Sequence, residues 1–437
     1  MSEAKLPKLV RTKVQAQDLD QLSKEELKEK VIKLEAHVFQ LRNLLNKSDP
    51  KTVEKHRKQT KFDYARFAKR HVLLHISYFG WDYQGYVIQE QTQETIEAEL
   101  FHALTKTCLV DNRENSNYHR CGRTDKGVSA FGQVISIDLR STMSDGVGVF
   151  VPEGHTLSKA SSEEIPYLRI LNRVLPREIR VIAWCPVPVT FSARFDCTRR
   201  TYKYFFPLGD LNLERMRAGS QFLLGEHDFR NFCKMDVGNG VVSYHRNIKE
   251  LSIRIKQEDR LNPVYSLCEM TVVGRAFLWH QIRSIVAILF LIGQGKEEPE
   301  VVRQLLDVET NPRKPQYSLA SELPLNLFEC EYGEMDWQYD VESLHYIIGH
   351  MQEMWTEHAV KASMIKEALD RVESLPALDN EKLCKQSQCL VQGVQSKVYL
   401  PLLQRPTCGT LEERIEHYVK RRRIELDVEE GGAEDGE

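Results

Sequence analysis

The sequence lacks the features that mark membrane proteins, secreted proteins and metal-cluster proteins. No apolar run approaches the roughly 20 residues that a membrane-spanning helix needs, and the longest candidate covers only residues 285–293. The first residues, 1–5, are polar, so we expect no signal peptide. The 10 cysteines include no Cys-x-x-Cys pair and no cluster with histidine, so their spacing indicates neither a zinc site nor a disulfide framework. We therefore expect no membrane association, no bound metal and a reducing compartment.

The chain also has little net charge, but its charges are unevenly distributed. The formal net charge of −3 by itself argues against a nucleic-acid partner. The last 14 residues hold seven acidic and no basic side chains, so the remainder of the chain carries about +4. Residues 51–70 contain eight Lys or Arg against two acids, and residues 417–423 form a second basic cluster. Either cluster can follow a phosphate backbone, and either can equally be a solvated linker or a charged helix end.

A short heptad pattern near the N-terminus predicts a helix over residues 23–48. Ser23 and Glu26 resemble a capping box at its start, and Asp49 with Pro50 ends it. Its apolar residues alternate in steps of four and three, at Leu27, Val31, Leu34, Val38, Leu41 and Leu45. So short a pattern makes a marginal isolated coiled coil. The helix can therefore pair with itself, with another protein or with its own catalytic body.

Periodicity predicts an α+β chain after this helix. The first half is predicted to contain strand 71–79, helix 95–107 with Thr95 as N-cap, strand 133–139, helix 165–175, and strands 178–184 and 198–206. The stretch 141–164 has little periodicity and is rich in Ser, Gly and acids, which predicts a mobile insertion. A second half over 210–333 contains strand 264–273 and the apolar helix 277–293, and helix 345–375 follows. Two such halves suit a mixed or antiparallel sheet with helices on one face and a cleft between the halves.

The segment 120–130 holds the strongest candidate for a functional residue. Asp125 is flanked by cations and glycines, namely Arg120, Gly122, Arg123, Lys126 and Gly127. Such a turn brings backbone close to a ligand, and the cations keep the carboxylate ionised and available for nucleophilic attack. Residues 132–139 alternate like a half-buried strand, which places Asp125 on a loop entering a sheet. The alternative is a surface turn in which the Asp side chain caps only its own backbone.

Several ordered motifs resemble the TruA-type pseudouridine synthases. Gly-Arg-Thr-Asp-Lys-Gly-Val-Ser-Ala, residues 122–130, resembles the active-site motif of that family. Further motifs occur in the family's order at 78–85, 95–100, 191–195, 200–204, 225–229 and 274–283. The resemblance implies the pseudouridine synthase fold, in which two ferredoxin-like halves form one extended sheet with a basic RNA cleft. It also implies that uridine is isomerised to pseudouridine in RNA by base flipping, without a cofactor.

Motifs and composition together divide the chain into successive segments. We predict a disordered N-terminus (1–22), the heptad helix (23–48), a basic linker (49–70), an N-terminal catalytic half (71–209) with the mobile insertion (141–164), a C-terminal catalytic half (210–335), a mostly helical extension (336–423) and an acidic disordered tail (424–437). The extension is interpreted as an addition to the catalytic body.

The resemblance implies catalytic roles for three residues. Asp125 corresponds to the family's catalytic nucleophile, and Tyr202 to a tyrosine that packs on the flipped base and transfers a proton. Arg283 corresponds to the arginine that pairs with the catalytic Asp, a pairing that lowers the carboxylate pKa. From the residues alone, Tyr202 also suits cross-strand packing, and Arg283 also suits a buried pairing with a purely structural acid.

Basic and aromatic residues near these positions predict an RNA groove. Arg123 is expected to fill the gap that the flipped base leaves. The other predicted substrate contacts are Lys126, Arg194, Arg199 and Arg200, with Phe191 and Phe195 beside them. The alternative for these cations is a basic surface strand. The motif 227–229, His-Asp-Phe, is interpreted as structural or RNA-positioning because adjacent His and Asp do not form a proton relay by themselves.

Residues 126–133, the heptad helix and the C-terminal basic helix resemble the eukaryotic branch of the family that acts at positions 38 and 39 of tRNA. Those positions lie on the 3′ side of the anticodon stem-loop. The branch implies tRNA as the partner, a homodimer, and a location in the nucleus and cytoplasm. One alternative is a catalytically inactive RNA-binding or chaperone protein on the same fold, and another is a synthase acting on other tRNA positions or on small nuclear RNA. A general coiled-coil scaffold is disfavoured because the heptads cover so little of the chain.

Overall fold

The computed structural model describes residues 62–89, 91–157, 161–239, 241, 243–378, 385–393 and 398–431. The predicted N-terminus 1–22, the heptad helix 23–48 and most of the basic linker 49–70 lie outside these residues. From Tyr64 onward the described chain belongs to one compact unit.

A ten-stranded mixed sheet runs through the described residues. In chain order the strands are β1 (Ala68–Tyr78), β2 (His119–Arg120), β3 (Ser129–Ser141), β4 (Val149–Phe150), β5 (Ile179–Pro186), β6 (Arg199–Pro207), β7 (Gly225–Asp228), β8 (His245–Gln257), β9 (Leu267–Gly274) and β10 (Leu325–Glu331). Their spatial order is β4-β1-β3-β10-β6-β9-β8-β7, with β5 also paired to β1 and β2 to β3. Neighbours are antiparallel except for β10 and β3, which are parallel.

Seven α-helices accompany this sheet within the described residues. They are α1 (Ile96–Lys106), α2 (Tyr167–Asn172), α3 (Leu213–Gln221), α4 (Gln281–Gly293), α5 (Val301–Leu306), α6 (Val341–Glu373) and α7 (Leu411–Gly431). Helix α1 begins as the sequence predicts, because the Thr95 side chain accepts a hydrogen bond from the backbone N–H of Ala98. None of the helices in this part of the chain is long and apolar enough to cross a bilayer.

Two large apolar cores and a smaller third cluster form within this unit. One contains alternate residues of β1 together with α1, and the other contains the almost wholly buried helix α4 with residues of β6 and β9. Strand β10 contributes to both, since Leu325 packs in the core around α4 and Leu327 in the core around α1. Tyr202 of β6 packs against both cores. The ten strands and seven helices of the described residues confirm the predicted α+β class, and the architecture is consistent with the pseudouridine synthase fold.

Strand β10 forms the seam between the two parts of the sheet. It pairs with β3 at Asn326↔Ser129 and Leu327↔Ala130, immediately after the segment that holds Asp125. On its other side Leu327 lies opposite Tyr202 of β6. The seam therefore brings two of the predicted catalytic positions, 125 and 202, to neighbouring strands.

The structure differs from the sequence predictions at three places around this frame. The apolar helix predicted over 277–293 begins at Gln281, and residues 277–280 form the turn before it. Strand β6, predicted within the N-terminal half 71–209, pairs with β10 and β9 on the far side of the seam. Helix α7 continues to residue 431, into the segment 424–437 predicted to be disordered.

The predicted insertion 141–164 contains strand β4, which pairs with β1. Glu164 at its end accepts hydrogen bonds from Arg70 Nη1 at 3.1 Å and from the Ser141 hydroxyl at 2.8 Å. Both ends of the segment are thus attached to the sheet, and its mobility stays a prediction.

Gly80 provides a test of how tightly the end of β1 packs against the loop that leads into β3. A Cβ atom at Gly80 would lie 2.0 Å from the carbonyl oxygen of Val128, which is backbone and cannot rotate away. We expect Gly80→Ala to lower the free energy of unfolding by about 1–3 kcal/mol, measured by thermal and urea denaturation. Gly349→Ala in α6 is the control, because no atom lies within 4 Å of the added Cβ. Equal stability of the two variants would contradict the close packing.

Candidate active site

The loop between β2 and β3 is held by side chains of the strands behind it. Gly122 donates its N–H to Gln133 Oε1 at 3.2 Å and accepts a hydrogen bond from Gln133 Nε2 at 2.9 Å. The Thr124 hydroxyl is 2.7 Å from the buried Tyr78 hydroxyl. Because the residues before Asp125 are fixed to β1 and β3 in this way, the position of its carboxylate is set by the sheet.

Gly127 brings the same loop against Glu322, which lies shortly before β10. Its φ of +76° is in the region that favours glycine, and a Cβ there would lie 2.7 Å from Glu322 Cγ. Both observations explain the glycine two residues after Asp125. They also place a second carboxylate beside the loop.

Three side chains around the start of α4 contact the Asp125 carboxylate. The indole N–H of Trp279 donates to Oδ1 at 3.0 Å, and His280 Nε2 lies 3.4 Å from Oδ2. Arg283 Nη1 lies 3.8 Å from the same Oδ2. The Asp125 side chain keeps 28 % of its surface exposed, so a ligand can still reach it.

The Arg283 guanidinium contacts two carboxylates, those of Asp125 and Glu322. Its side chain is only 6 % exposed; Nη2 forms an ion pair with Glu322 Oε2 at 2.9 Å, and Nε donates to the carbonyl of Ala320 at 2.8 Å. The predicted pairing with Asp125 is present at 3.8 Å, but the shorter contact is with Glu322. The sequence suggested two kinds of partner for Arg283, the catalytic Asp and a structural acid. Its guanidinium contacts both, as Asp125 and Glu322.

Burial and neighbouring charges act in opposite directions on the pKa of Asp125. Burial raises the pKa of Asp125 above its usual value, and this outweighs the lowering by Arg283 and by the Trp279 hydrogen bond. Arg283 lowers this pKa, as the pairing predicts, but desolvation is the larger effect and the net shift is upward. Burial, together with Arg283 and Lys234, lowers the pKa of His280 to about 4, so its imidazole is neutral at pH 7.

His280 itself adopts a left-handed backbone conformation, with φ of +62°. Only three non-glycine residues in the described chain have a positive φ, and this one directly precedes helix α4. The conformation turns the chain from Trp279 into the helix while both side chains stay against Asp125. Strained backbone of this kind is characteristic of functional sites.

Tyr202 lies beneath the same loop. The Cβ position at Gly122 is 3.9 Å from the Tyr202 hydroxyl oxygen, and the ring meets Phe277 edge to face with centroids 5.2 Å apart. Burial raises the pKa of Tyr202 well above the usual value for a phenol, so the hydroxyl is protonated at neutral pH. Its place next to the site fits the predicted role in catalysis, which stays a prediction.

Exposed cations surround the opening of the site. Arg123, Lys126 and Arg194 are all exposed, and the Arg194 guanidinium lies 5.2 Å from the ring centre of Phe195. Partial burial and the neighbouring charges of Arg120 and Arg194 lower the pKa of Arg123. Arg120, Arg123 and Arg194 therefore lie close enough to act on one another and form a positive surface that is suited to phosphate.

The predicted RNA contact of Arg200 is not supported. Its guanidinium is buried and donates to the carbonyls of Cys121 and Arg194, each at 3.0 Å, and to that of Arg275. Arg200 therefore positions the loops around the site rather than facing a ligand. Arg199 is partly engaged as well, with its guanidinium 3.1 Å from Glu331 Oε1 and 3.5 Å from Glu250 Oε1.

The motif at 227–229 has the structural role interpreted from the sequence. The His227 ring bonds the carbonyl of Leu224 at 2.8 Å, and Asp228 pairs with Arg230 at 2.7 Å. Phe229 is fully buried in the core around α4. These contacts involve none of the residues that touch Asp125.

Sequence reasoning missed Trp279, His280 and Glu322. The first two lie within the motif 274–283. The helix was predicted to start at residue 277, whereas these residues form a turn that directs both side chains toward Asp125. The signal available in the sequence was a polar, aromatic pair directly before a long apolar run. Glu322 lies 197 positions after Asp125, and nothing local in the sequence marks it.

Comparison with known proteins gives a consistent set of similarities. Residues 220–333 match a family model described as tRNA pseudouridine synthase. The chain is 45 % identical over 433 residues to the human protein named tRNA pseudouridine(38/39) synthase, covering 93 % of this chain and 90 % of that protein. It is 41 % identical over 283 residues to a protein of the same name in Saccharomyces cerevisiae, covering 64 % and 61 %. It is 31 % identical over 299 residues to tRNA pseudouridine synthase A of Methanosarcina barkeri, covering 68 % and 98 %.

Proposed function

The chain belongs to the TruA-type tRNA pseudouridine synthase family, and from this premise we propose that it isomerises uridine to pseudouridine at positions 38 and 39 of tRNA. Relatives whose names carry these two positions are 45 % identical to it over nearly its whole length, which supports the anticodon stem-loop as the target. The chain is an isomerase. A catalytically inactive RNA-binding protein on this fold and a synthase of another branch are not favoured.

The proposed mechanism depends on one observation: the Asp125 carboxylate lies in a partly buried site and remains accessible to a ligand. Pseudouridine formation breaks the C1′–N1 bond of a uridine, turns the base and joins C1′ to C5, while a proton leaves C5 and N1 gains one. No atom or electron is gained overall, so the reaction itself requires no cofactor. An ionised Asp125 oxygen supplies the nucleophile. The Trp279 indole binds Oδ1 and Arg283 lies beside Oδ2, so together they hold the carboxylate in position.

The target nucleotide must leave its stack to reach this oxygen. Base flipping extrudes the nucleotide into a pocket and exchanges its stacking for contacts with protein side chains. Tyr202, whose ring already packs against Phe277 next to the loop, is placed to meet the flipped base. Its protonated phenol can donate a hydrogen bond or a proton, and the exposed Arg123 can occupy the space the base leaves in the RNA.

The RNA backbone is proposed to follow the cations around the site. Arg194 lies against the 67 % exposed ring of Phe195, and the Lys234 ammonium lies 4.0 Å from the ring centre of Trp279. Pairs of a cation and an exposed aromatic ring suit single-stranded or looped RNA, because phosphate and base are bound side by side. Lys126 adds a further exposed charge next to the nucleophile.

A modification assay tests the proposal directly. Purified full-length protein is incubated with unmodified tRNA transcripts that carry uridine at 38, at 39, at both or at neither position, and pseudouridine is mapped by chemical labelling and primer extension. We expect pseudouridine at 38 and 39 and none in the transcript that lacks both uridines. Binding without any product would favour the inactive RNA-binding alternative, and product only at other positions would favour another branch of the family.

We also propose a homodimer, pairing of the heptad segment 23–48, and a location in the nucleus and cytoplasm. These proposals rest on the eukaryotic branch that the sequence resembles. Sedimentation of the full chain and of a chain beginning at residue 61 tests the assembly. An unchanged number of subunits after removal of the first 60 residues would show that the heptad segment is dispensable for dimerisation. Imaging of a fluorescent fusion tests the location.

The pH dependence of the reaction provides a separate prediction. The charge of Glu322 raises the pKa of Asp125, so Glu322→Gln is expected to lower that pKa. Because Asp125 must be ionised, the rate falls as the pH drops through its pKa. In Glu322→Gln this acid limb should lie at lower pH than in wild type. Single-turnover rates across the acid range check the shift, and Glu353→Gln on the exposed face of α6 is the control.

A further inference from the structure

Three cysteine thiols from distant parts of the sequence meet next to the active site. Cys121 precedes the glycine that begins the catalytic loop, Cys197 lies just before β6, and Cys330 is in β10. The three Sγ atoms all lie within 4.8 Å of one another. The spacings of 76 and 133 residues between them are far too long to indicate this cluster from local cysteine patterns.

Burial alone does not explain the arrangement. Cys121 and Cys197 are 4 % and 2 % exposed, in an apolar cluster that also contains Leu73 and Cys185. Buried cysteines often pack as small apolar residues, and Cys185 is an example, since its thiol is not part of the group of three. Packing requires no convergence of sulfur atoms, whereas ligation of one ion does.

A fixed cation lies beside the three thiols. The buried Arg200 guanidinium donates to the carbonyl of Cys121 at 3.0 Å, and Arg200 lies only three residues after Cys197. Among the described residues, the guanidinium of Arg200 donates to the backbone carbonyls of Cys121, Arg194 and Arg275 and to no carboxylate, so these contacts leave its positive charge in place. A buried cation of this kind would stabilise negative charge on neighbouring sulfur atoms.

We propose that Cys121, Cys197 and Cys330 bind one thiophilic d10 cation, Zn²⁺ or Cu⁺, as a site of three thiolates. Zinc–sulfur bonds are about 2.3 Å long, so sulfur atoms that share an ion lie roughly 4 Å apart. The separations in the structure exceed this by less than about 1 Å, which a small rotation of the side chains removes. Soft thiolate ligands select these two ions over Mg²⁺, Ca²⁺ and Mn²⁺.

Binding requires loss of the thiol protons. Three S–H bonds break, three metal–sulfur bonds form, and three protons pass to solvent, with no change of oxidation state. The thiolates and the ion together carry one net negative charge with Zn²⁺ and two with Cu⁺, and Arg200 offsets one of them. Three ligands satisfy a trigonal Cu⁺ site, whereas Zn²⁺ would take water or another oxygen as a fourth ligand.

The bound ion would connect three segments at the seam of the sheet. These are the start of the catalytic loop at Cys121, the start of the strand that carries Tyr202, and the strand β10 between them. The three cysteines would therefore act as positioning residues for the site. None of them contacts Asp125 in the described structure, and their role is separable from the chemistry.

Metal analysis of the full-length protein tests the site. The protein is purified in reducing buffer and its zinc and copper are measured by mass spectrometry per mole of chain. We expect close to one equivalent in wild type and less than about a fifth of that in Cys197→Ser and Cys330→Ser. Cys185→Ser, a buried thiol of the same apolar cluster, should retain the wild-type content. The element that is found distinguishes Zn²⁺ from Cu⁺.

Measurements on wild type alone avoid dependence on how the variants fold. Removal of the ion with a chelator should lower the thermal midpoint by several degrees, and re-addition of Zn²⁺ or, without oxygen, of Cu⁺ should restore it. Ultraviolet absorption of metal-thiolate bonds should appear on re-addition. The proposal is overturned if wild type neither carries nor takes up either ion, or if Cys185→Ser loses as much metal as Cys197→Ser. The three thiols would then be a packed apolar cluster only.

Discussion

Asp125→Asn is expected to lower the rate of pseudouridine formation by at least about 1,000-fold while leaving tRNA affinity within about twofold. Asparagine has nearly the same shape and can still accept the hydrogen bond from the Trp279 indole, so the site should keep its geometry. It has no anionic oxygen to attack the nucleoside. Affinity should persist because most of it comes from phosphate contacts, which Asp125 does not make. Single-turnover assays and filter binding at one fixed salt concentration measure the two quantities.

The control for this substitution is Asp145→Asn, an exposed carboxylate outside the site. It should match wild type in both rate and affinity. The assignment of Asp125 fails if Asp125→Asn also keeps the wild-type rate. A rate loss matched by an equal loss of affinity would instead show that the aspartate acts in binding.

Arg283→Met is expected to have the largest effect on stability. Its guanidinium is 6 % exposed and lies between the carboxylates of Glu322 and Asp125, so its removal leaves two partly buried acids without their cation. Breaking a buried pair from one side costs about 3–5 kcal/mol in the free energy of unfolding. The pKa of Asp125 should also rise, because Arg283 is the main group that lowers it. The acid limb of the rate should therefore move to higher pH, opposite to the shift expected for Glu322→Gln.

The double variant Arg283→Met/Glu322→Gln separates stability from catalysis. It removes the unpaired Glu322 charge, so urea denaturation should show recovery of at least about 1 kcal/mol relative to Arg283→Met. Activity should stay low, since no cation positions the Asp125 carboxylate. Full recovery of the rate in the double variant would mean that Arg283 serves only to neutralise Glu322.

Local sequence signals predicted the elements well. The side-chain cap at Thr95, the alternation over 133–139 and the apolar run ending at Gly293 each depend on residues within a few positions, and each matches an element of the structure. The predicted start of the apolar helix at residue 277 was wrong, because hydrophobic periodicity does not reveal the left-handed backbone conformation of His280. The place of β6 beyond the seam depends on strand pairing, which local patterns do not determine.

The sequence predicted those residues of the candidate site that lie within a recognisable motif. Asp125 and Arg283 lie in separate motifs, and the structure brings them to 3.8 Å. Arg200 was mistaken for a ligand contact because the sequence gives its charge but not the carbonyls that surround it. Glu322 and the three converging thiols were missed for the same reason, since their proximity arises only from the assembled sheet.

The central position of β10 constrains how the chain folds during translation. This strand is the last of the ten to be synthesised, after about three quarters of the protein has been made, yet it fills the gap between β3 and β6. Until then the nascent polypeptide has two open strand edges facing each other, the kind of surface on which aggregation begins. A premature stop anywhere before residue 325 would leave that gap permanently open, so truncated products should depend on chaperones to remain in solution.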